Sequence, residues 1–128
     1  MSKIIVDTDV LIDIMRSKPG SLAQLTELEK DHIICVSVIT WLELLVGARD
    51  KAEKVKIDQF IARYQVLHLS NSSSQIAARL IDNYTLNYSL FIPDALIAAT
   101  AIEHDIELYT HNKKDFRYIS ELTLYPDS

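Results

Sequence analysis

Four carboxylates in this chain stand among apolar residues. Asp7 ends the run "IIV" in "IIVDTDVLID", Glu43 sits inside "ITWLELL", Asp94 follows a proline in "FIPDALIAA", and Asp115 lies in "YTHNKKDF". Carboxylates are seldom fully buried unless they are paired or bind a metal. Each has an ordinary role when taken singly. Asp7 is placed to cap a following helix, Asp94 to complement the dipole at a helix start, and Asp115 to be a loop acid. Glu43 is a candidate surface residue, although Leu42, Leu44 and Leu45 around it argue against full solvation. Ordinary roles do not explain why such acids should collect at strand ends and helix starts. A divalent cation does. Mg²⁺ and Mn²⁺ prefer oxygen ligands, and one or two carboxylates, waters and a substrate phosphate complete their coordination. Histidine is absent from three of the four motifs, so zinc is the poorer fit.

The elements that must present these acids follow from the apolar periodicity. Lys3–Val6 reads as a short β-branched strand ended by Asp7. Leu22, Leu25 and Leu28 predict a helix over 20–30, and "IICVS" predicts a second buried strand. A helix carrying Trp41, Leu42, Leu44 and Leu45 should follow, with Gly47 placed to end it. Ile57, Phe60, Ile61 and Tyr64 define a helix over 50–64, and "VLHL" a third strand. Ser72 or Ser73 is expected to cap a helix reaching Tyr88. "IPDALIAATAIEH" is a nearly all-apolar helix opened by Pro93, "IELYT" a fourth strand, and "LTLY" a fifth at the edge. Continuous apolar strands alternating with helices predict an α/β fold: three layers, α/β/α, around a mostly parallel sheet of four to five strands. Sites in such sheets gather at the carboxyl ends of the strands.

Composition narrows the function classes. The 128 residues suit a single domain, with 48% apolar and 24% charged residues, a globular balance. The first residues hold no long apolar leader, and no stretch approaches the ~18 apolar residues of a membrane span. With one cysteine, Cys35, there is no disulfide framework, so the expected setting is the cytoplasm. Cys35, inside "HIICVSV", reads as a core residue. The net charge of −5 argues against a protein that coats nucleic acid, yet allows a nuclease whose acidic site holds cations. Only Gly20 and Gly47 occur, too few for a dinucleotide fingerprint or a Walker loop.

The stretches "IIVDTDVLID", "SVITWLELLVGA" and "IPDALIAATAIEHDIELYTHNKKDF" resemble, in order and spacing, those of PIN-domain proteins, and most of all the VapC toxins of VapBC toxin–antitoxin modules. The likeness covers nearly the whole chain, and it implies a single PIN domain over 1–128 and an Mg²⁺- or Mn²⁺-dependent endoribonuclease leaving 5′-phosphate and 3′-hydroxyl ends. Carried over by position, Asp7, Glu43 and Asp94 match the family's three most characteristic acids. Asp115 matches a less regular fourth, with Asn112 standing where some members have an acid. Asp7 and Asp94 would be the principal ligands with Asp115 in support, while Glu43 would orient or deprotonate the attacking water or hold a second ion. Thr8 and Thr110 match small hydroxyl residues that orient carboxylates.

Other residues receive plainer readings. Asp9 is expected to support the site or cap a helix, Asp13 to lie on a helix surface, and His111 to be a solvated loop residue. Lys113, Lys114 and Arg117, and the stretch Arg49, Lys51, Lys54 and Lys56, are candidates for phosphate steering, the second equally a solvated helix face. Trp41 and Tyr64 read as core or interface. The resemblance implies three partners: an RNA substrate such as tRNA or rRNA, a VapB-like antitoxin, and a second copy in a homodimer to which residues 38–48 contribute. A noncatalytic PIN-like module that binds an antitoxin or a DNA-binding protein is the alternative, and the presence of all four acids argues against it.

Overall fold

Ile4, Ile5 and Val6 have no exposed surface. The strand they build, β1 (Ser2–Val6), lies between β2 (His32–Ser37) and β4 (Glu107–Tyr109), and β3 (Gln65–Leu67) adds outside β2. The computed structural model describes residues 1–126. Every strand pairing in the order β3-β2-β1-β4 is parallel, with Ile4 opposite both Ile34 and Glu107. The expected fifth strand reduces to one parallel bridge, Leu108 to Leu124. Leu108 N donates to Thr123 O at 3.0 Å and Tyr125 N to Leu108 O at 2.8 Å.

Side chains alternate across a strand, so β1 feeds two cores. Ile5 packs with Leu80, Ile97, Leu108 and Phe116 under α5 (Asn71–Tyr84) and α6 (Ile92–His104). Ile4 and Val6 pack on the other face with Val10, Leu25, Leu44 and Ile57. Those residues come from α1 (Thr8–Met15), α2 (Ser21–Glu29), α3 (Val38–Val46) and α4 (Lys51–Ile61). The three-layer α/β/α arrangement expected from the sequence is the one observed. Among the described residues no helix is long and apolar enough to cross a membrane.

Helix ends differ from expectation in instructive ways. The cap of α5 is Ser70, whose Oγ accepts from Ser73 N at 3.0 Å while Ser73 Oγ accepts from Ser70 N at 2.8 Å. Ser73 is thus the inner half of a capping box rather than the cap itself. That helix stops at Tyr84, not Tyr88, so residues 85–91 form a non-helical lead into α6. Gly47 ends α3, but with φ −78 it keeps a right-handed conformation. The left-handed closure falls instead on Asp105 after α6, with φ 53, a conformation that Asp and Asn tolerate better than most side chains.

Candidate metal-dependent active site

Strand β1 ends at Val6, and the next residue is turned into the space beyond the sheet. Asp7 is the N-cap of α1: its Oδ1 accepts from Thr8 N at 2.8 Å, and its Oδ2 accepts from Thr110 Oγ1 at 2.8 Å. The capping role is therefore real, yet it does not exhaust the residue. Asp7 is only 5% exposed, and burial, followed by the charge of Asp9, pushes its pKa up to about 8. The bonds from Thr110 and Thr8 pull the other way, and Asp94 adds a further upward push. Asn112 N donates to Thr110 Oγ1 at 3.0 Å, which leaves that hydroxyl's proton directed at Asp7.

Asp94 occupies the first turn of α6, just after Pro93. Burial above all, then the charges of Asp115, Glu43 and Asp9 in that order, raises its pKa to about 6. Asp115 closes the 3-10 turn Lys113–Asp115 beyond β4, where Asn112 Nδ2 donates to its Oδ2 at 2.5 Å. Glu43 is exposed, contrary to the expectation drawn from its leucine neighbours, because Leu42 at 49% and Val46 at 86% face outward with it. It is nonetheless held: Thr8 Oγ1 donates to Glu43 Oε1 at 2.7 Å, and Thr40 Oγ1 lies 3.0 Å from the same hydroxyl. The two threonines divide the work, Thr110 orienting Asp7 and Thr8 orienting Glu43.

Five acids from β1, α1, α3, α6 and the 3-10 turn thus share one electrostatic neighbourhood. Among the described residues, no Lys or Arg forms an ion pair with Asp7, Glu43, Asp94 or Asp115. The donor set is all oxygen, which suits a hard divalent cation. Among the described residues no three acidic, imidazole or thiol groups close into a ready-made cage. An all-oxygen donor set fits Mg²⁺, which keeps several waters and takes one or two carboxylates plus phosphate oxygens, better than zinc with its sulfur and imidazole ligands.

Some neighbouring residues keep their expected roles and others depart from them. Asp13 is not surface scenery: its Oδ2 lies 2.5 Å from His111 Nδ1 and 3.5 Å from Lys18 Nζ. The bond from His111 is the main reason the Asp13 carboxyl sits below its usual pKa. His111, expected in solvent, is 15% exposed, and its Nε2 is buried with no hydrogen-bond partner among the described residues. Asp9 lies within 3.5 Å of Thr110 Oγ1 and His111 N, a supporting position. Lys113 is diverted from phosphate by donating to Pro126 O at 2.6 Å, whereas Lys114 and Arg117 remain exposed. Arg49 is taken up by Glu53 at 2.7 Å, as a solvated helix face would have it. Trp41 Nε1 donates to Asp58 Oδ1 at 2.9 Å, and Cys35 is buried with its thiol pKa pushed up by desolvation. A groove of about 560 Å³ between α1, α3 and α4 runs up to Glu43, with an apolar floor that includes Ile12, Met15, Leu44 and Ile57.

Comparison with known proteins agrees with this architecture. The family model for the PIN domain matches residues 4–122. A protein of Mycobacterium tuberculosis, "Ribonuclease VapC10", is 30% identical over 120 residues, covering 93% of this chain and 90% of its own length. Two solved structures superpose closely. A toxin–antitoxin complex from Klebsiella pneumoniae is 29% identical with a TM-score of 0.76, covering 94% of this chain and 96% of its own. VapBC2 from Rickettsia felis, bound to a DNA fragment from its promoter, is 26% identical with a TM-score of 0.81 and covers 95% and 96%.

Proposed function

Because the chain belongs to the PIN domain family and resembles its VapC ribonucleases over nearly its full length, we propose that it is an Mg²⁺- or Mn²⁺-dependent endoribonuclease, the toxin of a VapBC-type pair. The observation that carries this reading is the uncompensated acid cluster: Asp7 and Asp94 are both pushed above their ordinary pKa by burial and by neighbouring acids, and among the described residues no Lys or Arg is paired to them. Like charges gathered in this way require protons or cations. A divalent cation bound there would supply a water acidic enough to attack at neutral pH and a clamp on the phosphoryl oxygens.

The chain's own residues divide the remaining tasks. Asp7 and Asp94 are the principal ligands, and Asp115, steadied by Asn112, supports them. The hydrogen bond from Thr110 favours the Asp7 carboxylate that a cation needs and offsets part of the rise that burial causes. Glu43, held by Thr8, faces solvent at the rim, where it orients the attacking water and takes its proton, or holds a second ion. The substrate is an RNA, with tRNA and rRNA the favoured classes, and the working unit is a cytoplasmic homodimer of single PIN domains. The apolar groove ending at Glu43 receives a segment of a VapB-like antitoxin and so covers the site.

Metal removal tests the reading. Purified protein stripped with EDTA should lose cleavage of tRNA and rRNA, and recover it on adding Mn²⁺ or Mg²⁺ but not on adding Na⁺. Cleavage that persists undiminished in EDTA would refute the assigned role of the acids.

A further inference from the structure

Two tyrosines outside the acid cluster are built onto the segments that carry it. Tyr88 lies in the lead into α6, six residues before Asp94, and Tyr118 lies three residues after Asp115. Their rings are parallel, with an interplanar angle of 1° and centroids 4.0 Å apart. Tyr84, at the end of α5, braces both from the side, tilted 59° to Tyr88 and 60° to Tyr118. Its own hydroxyl is tied down, donating to Glu121 Oε1 at 2.9 Å and accepting from Ser120 N at 3.3 Å. The support is therefore rigid. Tyr88, by contrast, remains 46% exposed after covering Tyr118.

We infer that the Tyr88–Tyr118 stack is a platform on which an unpaired base of a single-stranded RNA stacks while its phosphate lies over the acids; this rests on the ribonuclease reading above. The pair is already stacked with parallel rings, and a third ring extends it. Aromatic stacking of this kind tolerates any base, because every base has a π-face. The acids are close. Tyr118 titrates above its ordinary value through burial and then through the charges of Asp94 and Asp115. Lys114 and Arg117, exposed on the same loop, are the cations available to the adjoining phosphates. A second copy of the chain is the competing occupant, since Leu86 and Phe91 on the same lead and Ile92 at the start of α6 are also exposed. The stack's position beside the acids and the nearby cations favours RNA.

The test uses the full chain and a short, mixed-sequence single-stranded RNA labelled with fluorescein, its binding followed by anisotropy in Ca²⁺, together with kcat and KM for cleavage in Mn²⁺. Tyr88→Leu keeps an apolar cover over Tyr118 but removes the π-face, and should weaken binding and raise KM by roughly tenfold with kcat little changed, the scale of one lost base stack. Tyr88→Trp and Tyr88→Phe should bind as well as the parent or better. Unchanged RNA affinity and KM in Tyr88→Leu, with thermal stability also unchanged, would overturn the platform while leaving the acid-dependent cleavage standing. Loss of RNA binding accompanied by an equal loss of dimer in sedimentation would overturn it too, assigning the face to a second copy. If the parent cleaves no RNA yet Tyr88 variants still lose RNA binding, the platform stands and the catalytic reading falls.

Discussion

Thr110 illustrates how much of the site is held by residues that carry no charge. Its hydroxyl donates to Asp7 and accepts from Asn112 N, so one side chain connects β1 to the loop after β4. Replacing it by valine keeps the shape but removes the bond that favours the Asp7 carboxylate. Thr110→Val should raise the Mn²⁺ concentration needed for half-maximal cleavage about 10–100-fold, the usual cost of losing a group that orients a metal ligand, with circular dichroism unchanged. Equal Mn²⁺ dependence in parent and variant would remove Thr110 from that role. Asp7 and Asp94 stand out in the sequence because one follows an apolar strand and the other opens an apolar helix, whereas Glu43 sits within α3 and Asp115 in the turn beyond β4, where only apolar neighbours mark them. The Thr8–Glu43 bond, between residues 35 apart, was not legible as a pairing, since only the parallel β1–β2 register brings them together. The same holds for His111 and Asp13: a loop histidine reads as solvated until the fold sets α1 against it.

At the scale of elements, periodicity placed the four strands and the cores of α2 to α6, while α1 was signalled only by the capping position of Asp7 and the ends were set by local hydrogen bonds that periodicity does not report. The serine run over 70–74 offered several caps, and in the structure the cap is Ser70, with Ser73 completing the reciprocal pair. Ser70 Oγ also donates to Glu103 Oε2, tying the start of α5 to the end of α6. Ser70→Ala should therefore lower unfolding stability by about 1 kcal/mol, within the 0.5–2 kcal/mol range of cap losses, as read from urea denaturation. A change indistinguishable from zero would show that the box contributes nothing to α5. The deepest packing lies on α6, where Ile97, Ala98 and Ala99 have no exposed surface. Ile97→Ala should cost about 2–5 kcal/mol, far more than the cap, and a loss below 1 kcal/mol would mean that the helix repacks. By the same logic "LTLY" carried a strand pattern but formed only one bridge, because Tyr125 turns back against His32 and Tyr109 instead of extending the edge.

The whole molecule carries the acid cluster as a pH-dependent load. Asp7 titrates at about 8 and Asp94 at about 6 when folded, against the ordinary 3.8. Between those values the folded chain holds protons that the unfolded chain has released, so rising pH favours unfolding. The cation-free protein should be most stable near or below the ordinary carboxylate value as far as these two groups are concerned. It should lose melting temperature as pH rises through 6 toward 8, and added Mn²⁺ should restore most of that loss at the alkaline end. A melting temperature in EDTA that rises across this window would contradict the burial of two uncompensated acids. The central claim, that the cluster exists to hold a cation over an RNA phosphate, is tested most directly by one comparison. Parent protein and Asp94→Asn, each shown folded by circular dichroism, are incubated with structured RNAs in Mn²⁺, and the products are resolved by gel. Cleavage by the parent and none by Asp94→Asn is the expected result; equal cleavage by both would contradict the account.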